Sequence, residues 1–146
     1  MTADKFTRKD APNYWCLKSE ITYFEIDGKK LLLLPGELFP ELVFGGALSA
    51  EESATGKGAE INPKLLCDIV GDENILVFGL ANDELGYVLP PNDFILHDET
   101  PYFENGRDIH NRRHYEETNS MGPGTAGKIA ETVAEIMNTV EKTKNM

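Results

Sequence analysis

Apolar residues form short runs that are separated by polar, glycine-rich segments. Ile21–Ile26 is rich in strand-forming residues, and Asp27-Gly28, a strong hairpin signal, joins it to the unbroken run Leu31–Leu34. We therefore predict a β-hairpin over residues 21–34. A continuous apolar run is typical of a strand that is buried on both faces, and residues 74–80 predict a second buried strand of this kind.

Two short helices are predicted between these strands. One begins near Pro40, because proline suits the first turn of a helix. The other spans residues 62–70, with Asn62 as its N-cap and Gly71 as its stop. The polar stretch between them, residues 49–61, is predicted to be a surface loop. Strand, helix and strand in this order indicate a crossover connection and at least a partly parallel sheet.

The C-terminal segment predicts an amphipathic helix with Thr125 as its cap. Its polar face carries Glu131 and Glu135, and Lys142 and Lys144 lie where cations offset the helix dipole. Spacings of four, three and four residues align one apolar stripe, formed by Ile129, Val133, Ile136 and Val140.

These elements predict an α/β fold over residues 1–146 as a single domain: a mixed, twisted sheet with flanking helices and an amphipathic C-terminal helix. A small sheet of this kind exposes an edge strand, and exposed edges invite pairing with another copy. We therefore expect a homodimer or a higher assembly.

Composition and charge exclude several classes of partner. The chain has 146 residues, 40% of them hydrophobic and 27% charged, and a formal net charge of −11. Such a charge argues against binding nucleic acid or anionic lipid surfaces. No transmembrane segment is predicted, and the first residues lack the apolar core of a signal peptide, which leaves the compartment unknown. Cys16 and Cys67 lie far apart and are expected to be free, buried thiols, with a single disulfide between them as the alternative.

Three side chains near predicted strand and loop ends could carry chemistry. Glu37 follows a Pro-Gly turn and is either a metal ligand or general base, or a solvated turn residue. Tyr87 is either a ligand or oxyanion donor, or a half-buried aromatic in a strand. Tyr115 either stabilises an oxyanion or anchors a loop on the core.

The histidines suggest a separate metal-binding hypothesis. His110 and His114 are four residues apart and on a helix would share one face, as zinc-binding pairs do. Asn111 occupies the position where that motif has glutamate, and His97 reads as a loop residue. The sequence contains neither a glycine-rich phosphate loop nor a G-x-S-x-G nucleophile elbow.

Taken in order, the strand-end motifs resemble the C-terminal part of the catalytic domain of neutral/alkaline (non-lysosomal) ceramidases. The resemblance covers roughly residues 30–127. It rests on Pro35-Gly36-Glu37, Gly79-Leu80 with Asn82 and Tyr87, Tyr115-Glu116, and Gly122-Pro123 with Thr125.

The resemblance implies zinc-assisted hydrolysis of an amide in a lipid-like substrate. Glu37 and Tyr87 would correspond to two zinc ligands, and Tyr115 to a tyrosine beside the scissile amide. The family's two histidine ligands and its serine lie in a preceding half without a counterpart here. The stretch from Tyr87 to Tyr115 is longer than in the family, and Glu84 stands where the family often has an aromatic residue.

The chain would thus be equivalent to the C-terminal part of a larger hydrolase domain, and inactive alone. Two alternatives remain. One is a non-catalytic α/β binding or interaction module that retains the hydrolase scaffold. The other is a small autonomous metallohydrolase that recruits His110 and His114.

Overall fold

The computed structural model describes residues 17–58, 62–95 and 107–146. A three-stranded sheet is built from β1 (Thr22–Ile26), β2 (Lys29–Leu33) and β4 (Leu76–Phe78), with β2 in the centre. β1 and β2 are antiparallel, whereas β2 and β4 are parallel. The mixed sheet with flanking helices confirms the predicted α/β fold, including both the hairpin and the crossover.

The hairpin turn follows directly from its two residues. Asp27 and Gly28 have φ angles of 49° and 74°. Positive φ at both central positions is typical of the type I′ turn, whose twist matches that of two paired strands. The turn fixes the register, in which Ile26 pairs with Lys29.

A second, two-stranded sheet pairs β3 (Glu37–Leu38) with β5 (Tyr87–Val88) in parallel. Helix α1 (Glu41–Phe44) follows β3, and a 3-10 turn at Pro91–Asp93 follows β5. The described ranges also contain helices α2 (Leu66–Val70), α3 (Tyr115–Thr118) and α4 (Gly124–Lys144).

The core lies between one face of the three-stranded sheet and helices α2 and α4. Leu32 and Leu34 point into it, and Val133 of α4 is completely buried there. The prediction that both apolar strands are buried on two faces is therefore wrong. Leu76 and Phe78 of β4 are 47% and 49% exposed, because the helices cover only one face of this sheet in the described part of the chain.

Two helix starts also differ from the prediction. Helix α2 begins at Leu66 rather than near Asn62, because Leu65 is extended with ψ of 140°. Helix α4 has Pro123 as its N-cap and no side-chain cap, so Thr125 lies inside the first turn. The predicted C-terminal ends of both helices are confirmed. Gly71 terminates α2 in a left-handed conformation, and α4 has lysines in its last turn.

Some predictions fall on other parts of the chain. Cys16, His97 and residues 96–106 of the stretch between Tyr87 and Tyr115 lie outside the described residues. Cys67 is buried and free, as predicted. Among the helices of the described ranges, none is long and apolar enough to cross a membrane.

Candidate functional site

Glu37 and Tyr87 are direct neighbours in the parallel β3–β5 pair. Their Cα atoms are register partners, and the amide of Glu37 donates to the carbonyl of Gly86 at 2.9 Å. Register partners in a sheet project their side chains from the same face. The carboxylate and the phenol therefore share one face of this sheet.

Tyr115 joins them from helix α3. Its ring centroid is 6.0 Å from that of Tyr87, with an interplanar angle of 73°. Phe39 contacts Tyr87 in a second edge-to-face arrangement at 6.4 Å, so aromatic rings pack against Tyr87 from two elements. Tyr115 itself is 66% exposed, which leaves its hydroxyl open to a ligand. The structure thus brings all three predicted site residues together.

Three glycines allow this close approach of backbones: Gly36 and Gly79 of the sequence motifs, and Gly86, which precedes Tyr87. A Cβ on Gly79 would lie 2.7 Å from the carbonyl oxygen of Gly36, and one on Gly36 would lie 2.7 Å from that of Gly86. A Cβ on Gly86 would collide with the carbonyl of Asn119. Each glycine therefore lets the next segment pack directly on its backbone.

The last of these contacts links β5 to the residues after α3. The amide of Tyr87 donates to the carbonyl oxygen of Asn119 at 3.0 Å. The amide of Asn119 in turn donates to the carbonyl oxygen of Glu116 at 3.2 Å. The backbone of Tyr87 is thus flanked by β3 on one side and by the end of α3 on the other. This arrangement fixes where Tyr115 lies relative to Tyr87.

The phenol of Tyr87 lies in a negative environment. The Glu37 carboxylate raises the pKa of Tyr87, and partial burial, Tyr115 and Glu116 act in the same direction. The phenol is therefore the favoured form of Tyr87 in the protein alone. A bound divalent cation would reverse this preference, because it favours the phenolate.

A zinc site in a protein has a defined set of ligands. Glu37 and Tyr87 offer two neighbouring oxygen donors, whereas zinc takes three or four protein ligands. Within residues 17–58, 62–95 and 107–146, no group of three His, Cys, Asp or Glu side chains could hold a metal ion. The described residues therefore fit part of a zinc site.

His110 and His114 do not form the predicted helical pair. His110 lies in a turn, and its Nε2 is 3.0 Å from the carbonyl oxygen of Glu51. His114 immediately precedes α3, and its Nδ1 is 3.0 Å from the carbonyl oxygen of Asp93. Each ring therefore lies against a different carbonyl oxygen. The two rings do not share one face, because the backbone between His110 and His114 is not helical.

A buried network around Asp108 was not anticipated from the sequence. Its carboxylate accepts hydrogen bonds from the amides of His110 and Arg112 at 2.9 and 2.8 Å, and from Nε of Arg112 at 2.6 Å. Nε2 of the buried His114 lies 3.1 Å from the same carboxylate. Burial alone would raise the pKa of Asp108, but these hydrogen bonds outweigh it and hold the pKa well below its usual range.

This network positions the start of α3 and thereby Tyr115. His114 is fixed between Asp108 and the 3-10 turn, and Tyr115 is the next residue. The only signal in the sequence was the spacing of Asp108 and Arg112, which suits an ion pair at i and i+4. That spacing says nothing about burial or about the contact with His114.

Comparisons with family models, curated proteins and solved structures found no match for this chain.

Proposed function

We propose that this chain carries part of the active site of a ceramidase-like, zinc-dependent amide hydrolase. The single observation that carries the proposal is the placement of Glu37 directly opposite Tyr87, with Tyr115 packed against Tyr87. These are the three residues that the motif resemblance marks as site residues. Their spacing in the sequence does not require that they meet.

Each residue has a distinct role in this proposal. Glu37 and Tyr87 would hold the zinc ion through oxygen. Bound zinc would acidify a water molecule and polarise the amide carbonyl. Tyr115 has an exposed side chain, and its hydroxyl would donate a hydrogen bond to the carbonyl oxygen as negative charge develops there. The substrate class is an amide with lipid-like character.

The site is incomplete in the part of the chain that the structure describes. Zinc needs at least one further protein ligand, and the resemblance assigns that role to histidines for which this chain has no counterpart. We therefore expect the chain alone to bind zinc weakly and to lack hydrolase activity.

Zinc binding tests this proposal. Zinc affinity is measured by titration calorimetry for the unaltered chain, for Glu37→Gln and for Glu135→Gln, a matched change on the exposed face of α4. Loss of one ligand is expected to weaken binding at least about tenfold in Glu37→Gln, while Glu135→Gln keeps its affinity. Equal affinity in all three proteins would refute the assignment.

A second candidate function is a non-catalytic interaction module that assembles as a homodimer. The face of the three-stranded sheet away from the helices exposes Leu76, Phe78 and the nearby Leu80. A second copy that packs on this face would cover these residues, and β4, an edge strand of this sheet, offers backbone groups for pairing.

The oligomeric state distinguishes this candidate. Light scattering after size exclusion is expected to give a dimer for the unaltered chain and a monomer for Phe78→Ser. A strict monomer for the unaltered chain would exclude the homodimer.

A further inference from the structure

The face of the three-stranded sheet that points away from the core is apolar from one edge to the other. Successive side chains of a strand project from opposite faces. Tyr23, Leu32 and Val77 pack on the core, so the residues on either side of them project from the other face, which we call the outer face. Its apolar residues are Phe24, Ile26, Leu31, Leu33, Leu76 and Phe78.

The strand register aligns most of these side chains into two rows across the sheet. Leu31 of the central strand lies between Phe24 of β1 and Leu76 of β4. Leu33 lies beside Phe78 in the next row. Neighbouring strands are about 5 Å apart, so the side chains within a row contact one another. The outer face is therefore one continuous apolar surface.

The outer face carries no carboxylate, although the chain has a formal net charge of −11. Its two polar residues are Lys29 and Thr22, and the hydroxyl of Thr22 accepts a hydrogen bond from Nδ2 of Asn82 at 3.1 Å. Glu25 is the one acidic residue of these three strands, and it lies on the opposite face, 3.0 Å from Nζ of Lys144. Two copies of this acidic chain can therefore meet through the outer face without placing carboxylate against carboxylate.

The apolar area of the outer face is close to what one partner contributes to a stable dimer. Ile26, Leu76 and Phe78 are 61%, 47% and 49% exposed. At about 200 Å² for a fully exposed large apolar residue, these three and the three partly exposed residues present about 400 Å². A standard interface buries about 800 Å² on each partner, of which about 60%, or roughly 480 Å², is apolar. The outer face thus supplies most of that apolar area.

We propose that the outer face packs against the outer face of a second copy, so that two three-stranded sheets form a two-layer β-sandwich. In a twofold dimer the same surface meets itself, which suits an apolar surface without carboxylates. Sheets that pack in this way lie about 10 Å apart, and their side chains interdigitate. The inference rests on the homodimer of the second candidate function, and it assigns the contact to the face of the sheet rather than to the edge of β4.

Sedimentation velocity over a range of protein concentrations tests this contact with a matched pair of variants. Ile26→Glu places a carboxylate on the outer face of β1, at the edge of the sheet away from β4. Ile109→Glu makes the same change outside the sheet, at a residue that is 63% exposed, against 61% for Ile26. Ile26→Glu should weaken dimerisation at least about tenfold, because an apolar contact is lost and a charge is buried. Ile109→Glu should keep the affinity of the unaltered chain.

The outcomes separate a contact through the face from a contact through the edge. Unchanged dimer affinity in Ile26→Glu would overturn the face contact, and a monomer for Phe78→Ser in the same series would keep the homodimer with a contact at β4. A strict monomer for the unaltered chain would overturn both. If that monomer bound phosphatidylcholine vesicles and Ile26→Glu did not, the occupant of the outer face would be a lipid surface instead of a second copy.

Methyl NMR tests the contact without any substitution, should Ile26→Glu lose its native fold. Copies with labelled methyl groups are mixed with unlabelled copies, and nuclear Overhauser effects between the two are recorded. Effects from the methyl groups of Leu31 and Leu76 to aromatic protons of the other copy are expected. Effects confined to the backbone amides of β4 would overturn the face contact. None of these results bears on Glu37 and Tyr87, which belong to the other sheet.

Discussion

Replacing Asp108 by alanine should strongly destabilise the protein and displace the start of α3. The side chain of Asp108 is completely inaccessible to solvent and accepts hydrogen bonds from two backbone amides and from Arg112. The change leaves those donors and the buried His114 without their carboxylate. Removing one partner of a buried, hydrogen-bonded ion pair typically costs about 3–5 kcal/mol.

Urea unfolding measures this loss. With a slope of about 2 kcal/mol per molar urea, a loss of about 3 kcal/mol lowers the midpoint by about 1.5 M. Asp108→Asn keeps the shape and an acceptor for the backbone amides, so its loss should be smaller. Glu135→Gln, on an exposed face of α4, should leave the midpoint unchanged.

The same carboxylate predicts an acid-dependent loss of stability. Its pKa is lower in the folded protein than in the unfolded chain, where it is about 4. The stabilisation is therefore complete above about pH 4 and is lost as the pH falls further towards the folded-state value. Asp108→Asn should reduce this dependence of the midpoint on pH. A loss below about 1 kcal/mol in Asp108→Ala, or an unchanged pH profile in Asp108→Asn, would refute the reasoning.

Three further changes test the packing. Gly86→Ala should lower the free energy of unfolding by at least about 2 kcal/mol, because its Cβ would collide with Asn119 and its φ is 81°; thermal unfolding measures this. Gly124→Ala meets no atom within 4 Å, so its unfolding temperature should stay within about 2 °C of the unaltered value. Val133→Ala opens a cavity in the completely buried part of the core and should cost about 2–3 kcal/mol in urea unfolding. Equal stability of Gly86→Ala and Gly124→Ala would contradict the close backbone approach at β5, and an unchanged midpoint in Val133→Ala would contradict the assigned core.

The sequence predicts those elements that depend only on residues close together in the chain. Asp27-Gly28 sets the hairpin by its own backbone preferences, and the apolar stripe of α4 follows from helical periodicity. The exposure of Leu76 and Phe78 could not be predicted in this way. A continuous apolar run is compatible with two buried faces, but burial depends on whether a second layer of structure covers the sheet. The helices of the described ranges cover one face.

The candidate site, like the fold, could be predicted from the sequence only in part. Motif order marked Glu37 and Tyr87 as candidates, but their adjacency comes from a parallel register between segments that are far apart in the sequence. The Asp108 network depends on contacts between separate segments, such as that of His114 with the Asp93 carbonyl. Neither residue type nor spacing indicates such contacts, because they depend on how the loops pack against one another.

A double-mutant cycle of zinc affinity tests the central claim most directly. Zinc dissociation constants are measured for the unaltered chain, Glu37→Gln, Tyr87→Phe and the double variant. If both side chains hold one ion, the second change should have little further effect once the first is made, and the coupling should exceed about 1 kcal/mol. Independent effects that add, or zinc affinities that none of the changes alters, would contradict a shared metal site at Glu37 and Tyr87.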